Sequence, residues 1–472
     1  MADELKALVD DHSLEAVPEH ERLGWLSLTW NTAGIVTTLV ILFFGALVCF
    51  VAGVKIALIA GFVSFAFGSL LGWGLSHVAY KTGLSNTLVT RQYGLGVRGS
   101  VLASVIFSFL IIGMLALENA LLYRGILHFF ELSDALTTRL LVYGVLTLLW
   151  ILITTFGFSI IARFSSLLLI AFLLVMTWVL GKVILQADQS LLNILSFESQ
   201  FPVETLQSMG IKSNWDKFVF SLNILIGPAC ALPLVSVDYG RYARSTMHAT
   251  TAVLIGGFFQ SVLVMLTGGV LMYAAAAGLS NYYVESQGMS LQEAQQLVLK
   301  SPDSIAAAFM LFGGAIGFIL MFVAQAKAQV LNCYAASLSL TNFFDALIGW
   351  RPGRFTFIVI ANAIALLMLY GHILELVEAW ISLLGVLLST LSGVILVDYF
   401  FVKPYLQKIT PASKTIPDKL NWAGVITIIS SVVMAHFVMV DLVAIEVITS
   451  CLTVLVLYPL LRMVFTPAHN EE

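Results

Sequence analysis

Two charged side chains lie in stretches of sequence that are otherwise apolar. Lys327 falls in FVAQAKAQVLNCYAASLSLTN, and Glu118 falls in IGMLALENALLYR. A charge at membrane depth costs roughly 3 kcal/mol or more unless it is paired or reaches water, so such residues commonly mark solute or ion pathways. The alternatives are a lysine whose side chain extends to the membrane interface and a glutamate near a helix end. The two residues are therefore the first candidates for a binding site.

Polar residues recur on the helix that the sequence predicts around Lys327. At 100° per residue they form one stripe, which comprises Gln325, Gln329 and Asn332. Lys327 points about 160° away from Gln329, towards a different neighbour. Its side chain is expected to lean towards the helix N-terminus, over Val323 and Ala324. The helix thus presents the stripe and the lysine to different neighbours.

The chain that carries these residues has the composition of an integral membrane protein. Of its 472 residues, 59% are hydrophobic and 11% are charged, and its mean hydropathy is +0.96. A helix crosses the hydrocarbon core with about 20 residues, and twelve apolar stretches approach or exceed that length. The predicted spans are 26–50, 54–78, 100–123, 138–157, 160–184, 217–237, 249–277, 304–340, 354–371, 373–398, 421–441 and 443–465. We therefore expect one all-α membrane domain, in which the long stretch 304–340 tilts or projects.

Basic residues predict the orientation of these spans. With the N-terminus in the cytoplasm, fifteen of the 23 Lys and Arg residues fall on the cytoplasmic side, seven fall on the opposite side, and Lys327 lies within a span. This bias predicts a multi-pass protein of the cell (plasma or inner) membrane with both termini in the cytoplasm. The predicted regions are a cytoplasmic tail (1–25), a first five-helix repeat (26–184), an external linker (185–216), a second five-helix repeat (217–398), a cytoplasmic loop (399–420), a helix pair (421–465) and a cytoplasmic tail (466–472).

Several functional classes lack support in the sequence. The net charge of −4 comes without a basic patch, so nucleic acid is not an expected partner. The four cysteines lie inside apolar runs and suggest neither a disulfide nor a metal site. No paired-histidine motif, GxSxG or phosphate-binding loop is present, so neither enzyme activity nor a cofactor is expected. Channels usually assemble from several subunits, whereas this asymmetric chain is expected to function as a monomer in the lipid bilayer.

Two spans carry residues that could interrupt a membrane helix. The first reads SLTWNTAGIVTTLVILFFG, and the sixth reads SLNILIGPACALPLVSVDYGRYARS. Pro228 and Pro233 each remove an intrahelical hydrogen bond, and Gly227 loosens the backbone beside them. Solutes often bind where helices at matching places in two halves of a chain are broken, so we expect both spans to be interrupted, with a packing kink as the alternative. The candidate binding residues at these two places are Asn31, Thr32, Gly34, Thr37, Gly227, Pro228 and Ala229.

Five sequence pieces, in the same order as in the family, resemble the nucleobase–cation symport-1 family, in its bacterial purine–cytosine permease-like branch. The most specific is GHILELVEAWISLLGVLLSTLSGVILVDYFFVK, an apolar helix with a Gly-rich middle and a closing Asp-Tyr-Phe. The others are TRQYGLGVRGS, VDYGRYARS, NCYAASLSLTN and NWAGVITIISS. The resemblance implies a leucine-transporter-like fold of twelve transmembrane helices, built from two inverted five-helix repeats plus two extra helices. It also implies alternating access, with the substrate held between spans one, three, six and eight.

The resemblance further implies the chemistry of the substrate site. It predicts flat nitrogen heterocycles, such as cytosine, purines, allantoin or hydantoins, as substrates. On span three, family members often place an aromatic residue one turn before Gln, and here these positions hold Met114 and Glu118. A carboxylate in the site would accept hydrogen bonds from substrate N–H groups or balance a cationic substrate. The expected function is import of such a heterocycle; the alternative is a transporter of the same fold for an amino acid, an amine or another cationic solute.

The resemblance also bears on the coupling ion. On span eight, the polar residue that reads the substrate falls at about Gln329, and the sodium-binding hydroxyls fall at about Val323 and Ala324, which have no side-chain oxygen. Lys327 is expected to lean over both positions. Two like charges a few ångströms apart repel strongly in a low-dielectric cavity, so an ammonium there would exclude sodium. The resemblance implies coupling to Na+, or to H+ in some branches. With an ammonium at the sodium position, we expect coupling to Na+ to be replaced by coupling to H+, or Lys327 to be a fixed charge without any coupling.

Overall fold

The computed structural model describes residues 17–156, 158–186, 190–300, 304–409 and 418–465. Within these ranges the chain is almost entirely helical, and its one β-like contact is an isolated bridge between Leu23 and Ala243. Twelve helices correspond in order to the twelve predicted spans. They are α1 (Trp25–Val36 and Leu39–Ala52), α2 (Val54–Thr82), α3 (Gly96–Phe129), α4 (Leu136–Phe156), α5 (Phe158–Gln186), α6 (Asn214–Gly240), α7 (Thr246–Phe258, Phe259–Val264 and Met265–Gln287), α8 (Ile305–Ile348), α9 (Arg354–Tyr370), α10 (Val377–Val397), α11 (Trp422–Val433 and Met434–Val438) and α12 (Glu446–Val464).

The lengths and hydropathy of these helices are those of membrane spans. In the part of the chain that the structure describes, α2, α3, α4, α6, α7, α10 and α12 are each long and apolar enough to cross a bilayer. The bent helices α1 and α8 also qualify when each is counted as one span, and α5, α9 and α11 contain shorter apolar segments. The protein is therefore a multi-pass membrane protein. Shorter helices connect the spans at Asn86–Gln92, Leu191–Ser196, Val203–Ser208 and Leu291–Lys300.

Helix α1 is interrupted where the sequence predicts it. Its two halves meet at an angle of 61°. Thr37 leaves the helical conformation (φ −91°, ψ 68°), and Thr38 is extended (φ −125°, ψ 162°) before the second half begins at Leu39. The Thr37 hydroxyl donates a 3.1 Å hydrogen bond to the carbonyl of Ala33, one of the carbonyls left without a partner where the first half ends. The break thus exposes a helix C-terminus and a helix N-terminus side by side.

Helix α6 does not break, so the interruption predicted for the sixth span is wrong. It is one continuous helix of 27 residues with both prolines inside it. The Ser213 hydroxyl and the Asp216 carboxylate form a reciprocal cap at its start. Each proline removes one backbone hydrogen bond, yet the rest of the ladder and the tight packing of neighbouring helices keep the backbone helical.

Two residues beside Pro228 show how closely α6 is packed. A methyl group added to Gly227 would lie 2.7 Å from Ile381 Cδ1 on α10. On the other side of Pro228, the carbonyl oxygen of Ala229 would lie 2.6 Å from a methyl group added to Gly68 on α2. Both distances are shorter than a van der Waals contact, so α10 and α2 pack directly against the α6 backbone. The glycine predicted to loosen this helix is therefore where another helix approaches.

The second strong bend of the structure lies in α8 instead. The segment Ile305–Ile319 meets Met321–Ile348 at 70°, and Gly314 has a left-handed backbone conformation (φ 55°). A positive φ carries no penalty for glycine, which has no Cβ. The long stretch predicted as one tilted or projecting span is thus a bent helix that continues to Ile348.

The helices pack into two groups. Helices α1, α2, α6 and α7 contact one another extensively, and helices α3, α4, α8 and α9 form a second set in which α3 and α8 have the largest interface. Helices α11 and α12 pack on each other and on α10, which also lies against α6. A cavity between the two groups would change its shape if one group moved relative to the other.

Candidate functional site

A cavity lies where the two helix groups meet. Helices α1, α6 and α7 line it from the first group, and helices α3 and α8 line it from the second. The lining residues are mostly aliphatic: Ile35, Val36, Ile41, Leu110, Ile111, Met114, Pro228, Ala231, Leu232, Val235, Ala328 and Leu331. The polar lining residues are Thr38, Glu118, Gln260 and Asn332. An apolar cavity with a few polar groups is the usual form of a small-molecule site.

Glu118 places a carboxylate at the break in α1. The side chain is 2% exposed, and its carboxylate lies against the Thr38 side chain, the backbone of Leu39 and Val40, and the Gln325 side chain. Those backbone groups begin the second half of α1, where unpaired N–H groups and the helix dipole favour negative charge. The Oε2 atom is buried and accepts no hydrogen bond from the described residues. The carboxylate therefore has stabilising neighbours on one side and an unused acceptor.

Lys327 occupies the other end of the same break. A methyl group added to Gly34 would overlap the Lys327 Nζ atom and lie 2.9 Å from its Cε. Gly34 is in the last turn of the first half of α1, where unpaired carbonyls favour positive charge. Lys327 is 4% exposed and does not line the cavity. Val323 and Ala324 are half-buried, about one turn earlier on α8.

The polar side chains of α8 have two different environments: some hydrogen-bond to neighbouring helices, and one lines the cavity. Gln329 is fully buried and donates to the Leu115 carbonyl (3.1 Å) and to Asn119 Oδ1 (2.8 Å) on α3. Trp150 Nε1 on α4 donates to the same Asn119 oxygen (2.8 Å). Asn332 contacts Gln329 Oε1 (3.4 Å) and lines the cavity. Through Asn119, Gln329 links α8 to α3 and α4, and it does not line the cavity. Gln325 hydrogen-bonds to the Glu118 carboxylate.

The other predicted residues also separate into these two sets. Met114 and Pro228 line the cavity. Thr32 is buried against Gly256 of α7, and its hydroxyl donates to the Leu28 carbonyl (2.9 Å). Gly227 and Ala229 face α10 and α2, and Thr37 bonds within its own helix. Asn31 lies within α1, and its side chain is outside the described part of the structure.

The sequence interpretation missed Gln260. This residue lies in a π-helical turn of α7, Phe259–Val264, and its side chain is buried at the cavity wall. A π-turn inserts extra backbone into a helix, which turns the side chains beyond it to new directions, and such turns are frequent at functional sites. The one available signal was a lone amide in the apolar sequence GGFFQSVLVM.

Solved transporter structures resemble the whole chain. Mhp1 in its inward-facing conformation aligns with a TM-score of 0.72 at 15% sequence identity, over 96% of this chain and 93% of that chain. A Na+-coupled sialic acid symporter in a substrate-bound, outward-open state aligns with a TM-score of 0.64 at 13% identity, over 100% of this chain and 97% of that chain. The fold is leucine-transporter-like. No protein-family profile and no curated protein matches the chain in sequence.

The likeness covers the complete fold. The alignments span 96% and 100% of this chain and so extend over its membrane helices from α1 to α12. The structures that the chain resembles are transporters and not enzymes. At these identities the comparison concerns the fold, and the chemistry has to come from the residues of the cavity.

Proposed function

We propose that this protein is a secondary active transporter of the nucleobase–cation symport-1 type. It imports a small nitrogen heterocycle, such as cytosine, a purine or a related hydantoin-like compound, by alternating access across the cell membrane. The fold supports this proposal, and so does the position of the cavity between two helix groups. A relative movement of those groups would open the cavity first to one face of the membrane and then to the other.

The arrangement of charge at the break in α1 carries the proposal. A break in a membrane helix offers a negative C-terminus and a positive N-terminus at the same depth. Here the chain itself supplies a partner for each end: Lys327 lies at the last turn of the first half, and Glu118 lies at the first turn of the second half. Transporters of this architecture use such ends for coupling ions and anionic substrate groups. Both positions are already occupied by protein side chains.

Glu118 narrows the class of substrate. An amino acid would bring its own carboxylate, which would compete with Glu118 for the same helix N-terminus and be repelled by it. Among the described lining residues, Glu118 is the one charged group. Its free acceptor oxygen suits a ligand that presents N–H donors. The cavity therefore favours heterocycles with amino or ring N–H groups over zwitterionic amino acids.

Lys327 determines the coupling that we propose. Its ammonium holds a positive charge where a sodium ion would otherwise bind, so transport does not require Na+. A lysine removed from water can exchange a proton during the cycle, and Lys327 would then couple uptake to H+. A permanently charged Lys327 would leave uptake uncoupled, and the protein would then be a facilitative uniporter. The two cases differ in whether a proton gradient drives accumulation.

The test is uptake of labelled cytosine and adenine into proteoliposomes. We expect undiminished uptake when sodium is replaced by choline, at several pH values. Strict dependence on sodium would refute the proposed role of Lys327. Glu118→Gln keeps the shape of the side chain and removes its charge, and we expect it to weaken binding of aminated heterocycles by about tenfold, the effect of losing one charge-assisted hydrogen bond. Unchanged binding would place Glu118 outside the substrate site.

A second candidate function is transport of a cationic amine. The same observation favours it, because a single carboxylate in an otherwise apolar cavity would balance one positive charge. The two functions separate when the purified protein is heated with a panel of neutral heterocycles and of alkyl or aryl amines. A ligand that binds the folded state alone raises the unfolding temperature. Stabilisation by amines without stabilisation by cytosine or purines would select this second function.

A further inference from the structure

The Gln260 carboxamide is a polar group at the wall of a mostly apolar cavity. Its side chain is 5% exposed, faces the cavity, and forms no hydrogen bond with a described residue. A carboxamide has two N–H donors and a carbonyl acceptor. Its amide atoms keep access to the space of the cavity, where a ligand can pair with them. A buried amide at the wall of a ligand cavity therefore indicates a ligand that pairs with it.

The position of Gln260 brings it to the same part of the cavity as Glu118. The π-turn Phe259–Val264 packs against both halves of α1, and also against α2 and α6. Glu118 approaches that break in α1 from α3, in the other helix group. A ligand at the break would thus meet a carboxylate from one helix group and a carboxamide from the other.

The Glu118 carboxylate and the Gln260 carboxamide differ in the hydrogen bonds that they can form with a ligand. The Glu118 carboxylate accepts hydrogen bonds only, so it recognises N–H donors. A glutamine amide can instead pair with an edge that carries one donor and one acceptor, as it does with the amino group and the adjacent ring nitrogen of adenine. Gln260 would therefore bind the edge of a flat heterocycle that carries one donor and one acceptor, and Glu118 would bind a separate N–H group of the same ring.

We propose that Gln260, presented by the π-turn of α7, determines the specificity of this cavity for aminated heterocycles. Its carboxamide pairs with an exocyclic amino group and the neighbouring ring nitrogen, while Glu118 accepts a separate N–H. This inference rests on the proposed transport function and adds the ligand edge that is read. It also assigns a binding role to α7, which the sequence resemblance did not place at the substrate.

The test uses ligand pairs that differ by the amino group alone. Adenine is compared with purine, and cytosine with pyrimidin-2-one, by equilibrium binding to the purified full-length protein. In Gln260→Leu we expect the preference for the aminated member of each pair to fall about tenfold, because the bidentate contact that recognises the amino group is lost. Gln207→Leu removes an exposed amide on a connecting helix and is the matched control, which should bind like the parent protein.

A second variant separates ligand recognition from a purely structural role. Gln260→Glu keeps the size of the side chain and still accepts from the amino group, but it repels the ring nitrogen. The preference for adenine over purine should therefore rise in Gln260→Glu and fall in Gln260→Leu. A residue that merely supports the π-turn would change both affinities together and leave the ratio constant.

The outcomes are distinct. Opposite shifts of the ratio in the two variants support the inference. Unchanged ratios in both variants, with binding intact in the parent protein, overturn the role of Gln260 and leave the transport function standing. Failure of the parent protein to bind any member of either pair overturns the proposed transport of nucleobases, and the inference fails with it.

Discussion

At the scale of single residues, Gly34 and Lys327 form the most specific contact of the candidate site. Gly34 has no side chain, and the space where a Cβ would lie holds the lysine ammonium. The next neighbour of that space is Leu169 on α5, at 3.9 Å. A larger residue at position 34 would force the ammonium away from the last turn of α1. The glycine is therefore required by the lysine, and not by a turn of the backbone.

We predict that Gly34→Ala reduces uptake by about fivefold by displacing the Lys327 ammonium, because a charge moved away from its stabilising helix end loses roughly 1 kcal/mol. The displaced group is the tip of a flexible side chain, so the protein should still fold. The measurement is uptake together with the unfolding temperature.

A double-mutant cycle checks that the effect passes through the lysine. In a Lys327→Ala background the added methyl group has free space, so Gly34→Ala should leave the unfolding temperature unchanged or raise it. An equal loss of stability in both backgrounds would show that Gly34 is needed for another reason.

At the scale of helices, close backbone contacts fix the second half of α1 against α7. A methyl group added to Gly268 would overlap the carbonyl of Leu42, and one added to Gly45 would overlap the carbonyl of Met265. Small residues permit such approaches, and they are the usual means of tight association between membrane helices. The contact lies directly beyond the π-turn that presents Gln260, so it also holds that side chain at the cavity.

We predict that Gly268→Ala destabilises the protein by about 1–3 kcal/mol, because the α7 backbone must move away from α1 to admit the methyl group. Thermal unfolding of the purified protein measures the effect. Gly144→Ala is the matched control: Gly144 lies in α4, and a methyl group there meets nothing within 4 Å. The control should be neutral or stabilised by about 0.5–1 kcal/mol, since alanine favours a helix over glycine. Equal stability of both variants would contradict the proposed contact.

At the scale of the whole molecule, one short helix connects the two helix groups. Asn86–Gln92 lies between α2 and α3. At its start, the Asn86 backbone N–H donates to Asp238 Oδ1 (2.8 Å) at the end of α6. Near its end, Arg91 donates to Asn342 and forms an ion pair with Asp345 (3.5 Å), both on α8. A movement of one group relative to the other has to strain or break these contacts.

We predict that Arg91→Ala changes the maximal rate of transport by about threefold or more, because the movement between groups, rather than ligand binding, limits many such cycles. Ligand affinity should stay within about twofold, since Arg91 is remote from the cavity lining and acts through conformational populations alone. Rate is measured by uptake, and affinity by equilibrium binding. Arg98→Ala removes an exposed guanidinium nearby and serves as the control. A rate equal to that of the control would show that the connection carries no mechanical role.

Much of the candidate site followed from the sequence. Glu118 and Lys327 were identifiable because a charge in an apolar run is a local feature, and the threonine-rich break of α1 was identifiable because both its residues are adjacent in the chain. The roles of Gln329, which the sequence placed at the substrate within a polar stripe, and of Gln260, a lone amide that it overlooked, could not be told from the sequence. Asn119 and Trp150 engage the first, whereas a π-turn directs the second to the cavity. That distinction depends on neighbours from distant parts of the chain.

Hydropathy over about 20 residues is a property of the chain alone, so the sequence was enough to predict an all-helical, multi-pass membrane protein and the order of its long apolar helices. The break in α1 was predictable from its sequence, whereas the continuity of α6 and the bend in α8 depend on packing in the folded molecule. Pro228 and Pro233 weaken α6 locally, but α2 and α10 press on its backbone and keep it helical, whereas α8 bends beyond Gly314. Packing also decided that the two buried charges meet opposite ends of one broken helix. Interaction energies between distant segments cannot be obtained from their separate sequences, and those energies set the geometry of this cavity.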